Sequence, residues 1–403
     1  MAMRPSQSDY DVIIAGGGPA GLACALSFAR AGWKVCVIES QSEEQLARPA
    51  FDGREIALTH HSRHWLEEAG VWQFIPPYAV CPLEVARIET GEAGGPPLLF
   101  SSSAGSEKGG ALGYLVANHL IRQALYQRVR ENGQITLRTG AAVRHFRTTQ
   151  AEAIVTLTDG DIIRSRLLVA ADGRFSKLRT EAGIGAIIHD FGTDVMVCRV
   201  QHEKPHENVA LQWFDENQTI ALLPVSDESQ TARLSSLVLT LPSAEIARLK
   251  AADPVAFSAE VTERTHERLG TLELLSARVT YPLKAVFAHR FHARRFVLIG
   301  DAAVGMHPIT AHGFNLGLKG QETLVRALAQ GSGDPGDRRC LEAFSWQHRK
   351  DTLPLFAATN MIAATYTRDE MPFLLARRIG LRIADRLTPF KKAVTHMLMD
   401  PAG

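Results

Sequence analysis

The run Gly16-Gly17-Gly18-Pro19-Ala20-Gly21, set between two short apolar strands, restricts this chain more than any other feature. Before it, Tyr10-Asp11-Val12-Ile13-Ile14-Ala15 reads as a buried strand. After it, residues 19–31, rich in Ala and Leu, read as a helix, and Lys34-Val35-Cys36-Val37-Ile38-Glu39 as a second strand. A right-handed crossover lays such strands parallel, with the helix on one face of the sheet. Gly16 permits the tight turn, Gly18 lets backbone approach a pyrophosphate, and Gly21 allows the helix to pack closely on the strand. The helix N-terminus then faces the anion. Glu39 ends the second strand, where a carboxylate accepts hydrogen bonds from an adenosine ribose and disfavours a 2′-phosphate. The pattern points to FAD or NAD rather than NADP, and its spacing does not separate the first two.

The 403 residues, 45% hydrophobic and 22% charged, are enough for one large domain or two interleaved ones. Lys and Arg number 44 against 43 Asp and Glu, so a net charge of +1 supplies no field for gathering nucleic acid. The cysteines, Cys24, Cys36, Cys81, Cys198 and Cys340, are odd in number and never in C-x-x-C spacing. Neither a disulfide framework nor a metal site is expected, and a reducing cytoplasm suits them. Residues 1–9 lack the apolar core of a signal peptide. No stretch approaches the roughly 20 apolar residues that span a bilayer, so export and spanning are not expected.

Residues 75–113 form a Pro-rich and Gly-rich excursion, and residues 116–131 carry a helical repeat. From 136 to 171, β-branched runs joined by turns such as Thr158-Asp159-Gly160-Asp161 predict a ribbon feeding the buried strand Arg166-Leu167-Leu168-Val169-Ala170-Ala171. Residues 184–283 hold short runs such as Ser235-Ser236-Leu237-Val238-Leu239-Thr240 and predict a separate sheet with helical cover. Arg295-Phe296-Val297-Leu298-Ile299-Gly300 then returns as a buried strand, with a helix starting near Phe314. The expected class is α/β. A three-layer, Rossmann-like cofactor domain takes residues 1–75, 114–183 and 284–330, a discontinuous sheet-based substrate domain takes 76–113 and 184–283, and 331–403 form a C-terminal helical segment. Within that segment Arg377, Arg378, Arg382, Arg386, Lys391 and Lys392 interleave with Leu375, Ile379, Ile383 and Leu387. This basic amphipathic pattern suits either a docking surface or an ordinary helix packed on the core.

Two further turns complete the pattern. One is Val169-Ala170-Ala171-Asp172-Gly173-Arg174-Phe175-Ser176. The other is Gly300-Asp301-Ala302-Ala303-Val304-Gly305-Met306-His307-Pro308, continuing to Ala311-His312-Gly313-Phe314-Asn315-Leu316-Gly317. Taken alone, Asp172 reads equally well as a helix cap. With all three turns in this order, the chain resembles the single-component FAD-dependent aromatic hydroxylases, which share the fold of para-hydroxybenzoate hydroxylase. The resemblance covers nearly the whole chain and implies FAD at the glycine turn. It assigns Asp301, after Gly300, to the flavin ribityl chain and Asp172 to both flavin and nicotinamide. Gly313, Phe314 and Asn315 are assigned to offer backbone N–H groups to the isoalloxazine. Arg54, in Asp52-Gly53-Arg54-Glu55-Ile56-Ala57-Leu58, matches the family arginine that reaches the cofactor. A helix beginning near Phe314 also has a direct physical use, because its positive end stabilises negative charge on reduced flavin.

Tyr114-Leu115-Val116-Ala117-Asn118, Leu120-Ile121-Arg122-Gln123-Ala124-Leu125 and Asn315-Leu316-Gly317 resemble most the ring hydroxylases of ubiquinone biosynthesis, with Asn118 beside the cofactor. That likeness implies a polyprenylated aromatic substrate, O2 as co-substrate, and the subgroup acting on 5-demethoxyubiquinol-type intermediates. Two departures stand beside the expected flavin ring: Val304 where the family usually has His, and Ala311-His312-Gly313 for the more usual Gly-Gln-Gly. The ring position hydroxylated is therefore not carried over. By resemblance the Pro308 carbonyl faces the substrate ring. His307 and His312 are candidates for relaying the phenolic proton, the plainer alternative being loop histidines satisfied by backbone. With a single glycine fingerprint, NAD(P)H as reductant visits a surface groove transiently. The isoprenoid tail calls for a greasy channel or a lipid surface, so residues 371–399 are a candidate contact with membrane or with partner proteins of the pathway. Three rivals use the same fold: a halogenase, of whose tryptophan motif Trp72-Gln73-Phe74-Ile75-Pro76 is only a near miss, a flavin reductase or dehydrogenase, and a non-catalytic prenyl-binding protein.

Overall fold

A computed structural model describes residues 8–90, 97–101, 110–215, 218–307, 313–331 and 333–366. Its first sheet is built outward from the strand Tyr10–Ala15. Val12, Ile13 and Ile14 are wholly buried, as expected for a central parallel strand covered on both faces. The strands Val35–Glu39 and Ile162–Ala170 flank it in parallel. Ile135–Thr139 extends the sheet on one side and Phe296–Leu298 on the other, both also parallel. The expected ribbon is present too: Val143–Thr148 and Ala153–Leu157 pair antiparallel and lead into Ile162–Ala170. Strands neighbouring in space thus come from three separate stretches of chain. The helix Pro19–Arg30 opens with Pro in its first turn and buries Leu22, Ala23, Cys24, Ala25, Leu26 and Phe28. It packs against the helices Asn118–Arg130 and Gly313–Ala329.

The second sheet, with nine strands among the described residues, runs Val304–Gly305, Val279–Ala288, Ala186–His202, Leu234–Pro242, Gln218–Val225, Val209–Asp215, Val85–Thr90 and Leu98–Ser101 in spatial order, with Leu272–Leu274 also pairing to Ala186–His202. Strand alternation gives it two different faces. Met196, Cys198, Leu237, Leu239 and Leu241 point to one side, where the helices Ser243–Ala251 and Pro254–Arg264 cover them with Ile246, Leu249, Phe257 and Val261. Val195, Val197 and Leu283 point to the other, with Phe191 and Val238 packed on them. The expected turn from one region to the next at 283–284 falls inside the strand Val279–Ala288, which stays with the second sheet along its whole length. Within 76–113, the strand Cys81–Leu83 joins a small sheet with Glu55–Leu58 and Gly113–Ala117, while Val85–Thr90 and Leu98–Ser101 extend the second sheet.

The long helix Arg338–Tyr366 packs on Gly313–Ala329. At their contact a Cβ on Gly320 would lie 2.8 Å from the ring of His348, so glycine is what allows the close approach. The basic span expected between Met371 and Met399 lies outside the described residues.

His202, His307 and His348 are all buried, and burial pushes each imidazole down to about 4. Unfolded, they would titrate near their ordinary value of about 6.5. Their stabilising effect is complete above that value and is lost as pH falls toward 4. Glu55 has the opposite sign: burial raises its carboxyl to about 7 despite Arg199 alongside, so its contribution is lost as pH rises from its ordinary range through 7. With three groups against one, unfolding temperature is expected to drop between pH 7.5 and pH 5. His348→Gln should remove about 2 kcal/mol of that pH dependence, measured by denaturant unfolding at both pH values; an unchanged difference would contradict the buried neutral imidazole.

Candidate cofactor site

Gly16 has φ +112°, and a Cβ there would sit 2.3 Å from the Ala171 carbonyl oxygen. A Cβ on Gly21 would sit 1.9 Å from the Gly16 oxygen. The turn is therefore pressed between its own helix and the end of a strand that arrives about 150 residues later in the chain. Gly18 differs. It is the N-cap of Pro19–Arg30 and supplies no side-chain cap, and a Cβ there would meet nothing within 4 Å. The first N–H groups of the helix thus look onto open space, the arrangement that accepts phosphate oxygens.

Glu39 closes one side of this cradle. Its carboxylate accepts from Gly17 N at 2.6 Å, Gln41 N at 2.8 Å and Ser40 Oγ at 3.0 Å. A Cβ on Gly17 would lie 2.9 Å from the Glu39 Cβ, so the middle glycine, to which the sequence reading gave no role, is needed as well. Arg122, also overlooked, reaches from the helix Asn118–Arg130 and donates to Gln41 Oε1 at 2.8 Å, adding a cation to the same rim. Its position four residues after Asn118, on the same helix face, was the available signal.

Asn118 and Arg54 meet at one acid. Asp52 Oδ2 accepts from Asn118 Nδ2 at 2.6 Å and from Arg54 Nη2 at 2.6 Å. Burial works against the Arg54 charge, but Asp52 beside it, with a smaller contribution from Asp301, holds its pKa above the ordinary value. Arg54 and Asp301 thus share one electrostatic environment. Asp301 lies in the short turn Gly300–Ala302 and pairs with Arg174 at 3.0 Å. Arg174 in turn donates to Lys284 O at 2.7 Å, joining the Asp301 turn to the second sheet. Gly300 has φ +54°, and a Cβ there would be 2.8 Å from Ala20 Cβ, so this turn touches the start of the first helix.

Asp172 accepts from Ser176 Oγ at 2.5 Å and Leu178 N at 3.2 Å. The N-cap of the short helix Lys177–Glu181 is Ser176, whose hydroxyl accepts from Arg179 N at 2.9 Å, and Asp172 supports that helix start from the preceding turn. Gly313, Phe314 and Asn315 open the helix Gly313–Ala329. The Asn315 side chain ties that helix start to its neighbours, donating to Ala57 O at 2.8 Å and accepting from Thr59 N at 3.3 Å. His307 is buried edge-on against Phe191, with ring centroids 4.7 Å apart, and Phe191 meets His189 in the same manner at 4.5 Å. Burial, helped by the charge of Arg174, keeps His307 neutral near pH 7. Pro308 and His312 lie outside the described residues. Trp72, first in the near miss to a halogenase motif, stacks under the Arg63 guanidinium at 5.0 Å.

Two helix N-termini, a fixed carboxylate at the end of the second strand and a cationic rim fit the pyrophosphate, ribose and ring of a flavin dinucleotide. A family model described as an FAD binding domain matches residues 9–351. The chain belongs to this FAD-binding family, and FAD is its cofactor. It is 38% identical over 393 residues to the ubiquinone hydroxylase UbiM of Neisseria meningitidis, covering 96% of this chain and 84% of that protein. It is 35% identical over 387 residues to the ubiquinone hydroxylase UbiL of Rhodospirillum rubrum, covering 95% of this chain and 87% of that one. Among solved structures, p-nitrophenol 4-monooxygenase PnpA from Pseudomonas putida superposes with a TM-score of 0.77, covering 98% of this chain and 100% of that one. At 17% identity this last likeness establishes the fold alone.

Gly18 and Gly21 of the cradle should respond differently to alanine. Gly18→Ala points its methyl into open space, so the apoprotein should unfold at nearly the wild-type temperature while FAD affinity falls about tenfold or more, the methyl standing where backbone must approach phosphate. Gly21→Ala should destabilise the apoprotein itself by about 1–3 kcal/mol through overpacking. Calorimetry of the apoproteins with flavin titration checks both; equal effects from the two variants would contradict the cradle.

Proposed function

We propose that this chain is an FAD-dependent monooxygenase of ubiquinone biosynthesis that hydroxylates the aromatic ring of a polyprenylated phenol, in particular a demethoxyubiquinol-type intermediate. What carries the reading is likeness to ubiquinone hydroxylases along almost the whole chain, joined to a cradle that fits FAD. Bound FAD supplies the reducing equivalents and the oxygen activation, with O2 as co-substrate and NAD(P)H as transient electron donor. The chain supplies binding, orientation and proton handling.

In this reading residues 1–75, 114–183 and 284–330 hold the cofactor, although the strand end 284–288 and Val304–Gly305 belong to the second sheet, and residues 76–113 and 184–283 hold the substrate. Gly16, Gly18 and Gly21 present the first helix to the pyrophosphate. Glu39 takes the ribose, Asp301 the ribityl chain, and Arg54, with Asn118 and Asp172, the remaining polar contacts. Gly300 lets the third turn approach the first helix, and the N–H groups of Gly313, Phe314 and Asn315 face the flavin ring. The sheet face bearing Val195, Val197, Val238 and Leu283, with Phe191, gives an apolar wall suited to a phenol ring. The Pro308 carbonyl faces that ring, and His307 and His312 accept or relay the phenolic proton, which raises electron density at the ortho and para carbons.

No helix among the described residues is long and apolar enough to cross a membrane. A prenylated substrate nevertheless partitions into lipid, and the basic amphipathic residues 371–399 are read as a peripheral contact with membrane or with other proteins of the pathway. Trp346, Leu353 and Met361 are exposed on Arg338–Tyr366, the helix that precedes that span in sequence, and exposed apolar side chains there support the same reading.

Deleting the gene should cause a polyprenylated quinol precursor to accumulate that is one ring hydroxyl short, and restoring the wild-type chain should clear it; mass spectrometry of lipid extracts reads both. Accumulation of an intermediate with its ring fully hydroxylated would rule the assignment out. His312→Ala should slow ring hydroxylation at least about tenfold while FAD stays bound. Full turnover without waste of reducing equivalents would remove His312 from the proton path.

A further inference from the structure

The segment that carries Arg54 is gripped from the side opposite the glycine cradle. Gly53 has φ +76°, and a Cβ there would lie 3.1 Å from Val197 Cβ and 3.2 Å from Val197 O, so residues 51–55 run hard against the second sheet. Three strands of that sheet hold the segment. From Val279–Ala288, Tyr281 donates its hydroxyl to Asp52 O at 2.7 Å, and its ring lies 5.6 Å from the Arg54 guanidinium. From Leu234–Pro242, Ser236 Oγ donates to Gly53 O at 3.4 Å. From Ala186–His202, Arg199 pairs with Glu55 at 2.9 Å and lies over the Phe51 ring at 5.0 Å.

Tyr281 and Arg199 are polar side chains on the sheet face that otherwise carries Val195, Val197 and Leu283. The Glu55 side chain is only 2% exposed. A buried ion pair such as this one adds little net stability, because desolvation offsets the attraction, and its better-attested use is to specify one arrangement. What these bonds specify is the path of residues 51–55. Asp52, held by Tyr281 on its carbonyl, in turn holds Arg54 on its carboxylate, while Asn118 fixes the same carboxylate from the first domain's helix. The Arg54 guanidinium is the point where both sides meet.

We propose that Tyr281 and Arg199, residues of the substrate-side sheet, are positioning residues for FAD, acting through residues 51–55 to hold the Arg54 guanidinium at the cofactor. The proposal rests on the reading that Arg54 contacts FAD, and it makes cofactor affinity depend on side chains of the other sheet. The two strands then set a cofactor contact as well as forming the substrate wall.

A double-mutant cycle on FAD binding tests it. Apoprotein is titrated with FAD, the dissociation constant is read from flavin fluorescence, and the apoprotein unfolding temperature is recorded alongside. Arg54→Gln should weaken binding about tenfold or more, as expected for loss of a charge-assisted contact. Tyr281→Phe keeps the ring and loses only the hydroxyl, and Arg199→Lys keeps the charge; each should weaken binding about threefold to tenfold. Introduced into Arg54→Gln, each should cost less than about twofold further, because the group it positions is gone. Undiminished losses in that background, or no loss in either single variant, would overturn the positioning role. Wild-type affinity in Arg54→Gln would instead remove the cofactor contact on which the proposal rests.

Discussion

The architecture depends on one close approach. The Gly16 Cα and the Ala171 carbonyl come so near that no side chain fits between them, and the Gly16 carbonyl leaves no room for one on Gly21. The first strand, first helix and the strand Ile162–Ala170 therefore lock at a single point, with Ala171 N donating to Ala15 O at 2.8 Å. Because the turn is that tight, the helix starts immediately above the sheet edge and its free N–H groups open outward at Gly18. Glu39 arrives beside Gly17 for the same reason, since its strand lies next to Tyr10–Ala15 in register. The open helix start, the placement of Glu39 beside the turn and the order of the strands all follow from one contact between backbones.

A second layer of organisation rests on charge. Asp52 and Arg54 from residues 51–55 and Asn118 and Arg122 from the helix Asn118–Arg130 gather on the rim, and Arg174 and Asp301 join the third turn to the second sheet. Beyond them the environment turns apolar: Phe191, Val195, Val197 and Leu283 line the adjoining sheet face, and His307 is buried there as a neutral ring. A charged, oriented cofactor rim beside an apolar wall suits the proposed hydroxylation of a lipid-tailed phenol by a dinucleotide cofactor.

Most of the first domain was legible because its information is local. Apolar runs bounded by glycine located the strands Tyr10–Ala15, Val35–Glu39 and Phe296–Leu298, and the helix start near Phe314 fell at Gly313. What was not legible involves partners far apart in sequence. Nothing near Glu55 announces Arg199, and nothing near Asp52 announces Tyr281; those contacts exist only once the second sheet is folded against residues 51–55. The strand Val279–Ala288 passes through the expected boundary at 283 with only a shift of register against Ala186–His202 between Pro282 and Lys284, and composition gives no mark of which sheet a strand joins. For Asp172, local chemistry allowed both a cap and a cofactor contact; the cap of the next helix is Ser176, and Asp172 braces it by accepting from the Ser176 hydroxyl and Leu178 N. The Asn315 side chain likewise serves the packing of its helix start.

The central claim is that this FAD site activates oxygen and places it on an aromatic ring. The most direct measurement supplies the purified, FAD-loaded protein with NAD(P)H, a short-chain prenylated demethoxyubiquinol and 18O-labelled dioxygen, and follows the product by mass spectrometry. One labelled oxygen atom in the ring hydroxyl of each product molecule is the predicted result. Consumption of NAD(P)H and dioxygen with an unchanged ring, or a hydroxyl carrying oxygen from water, would contradict it.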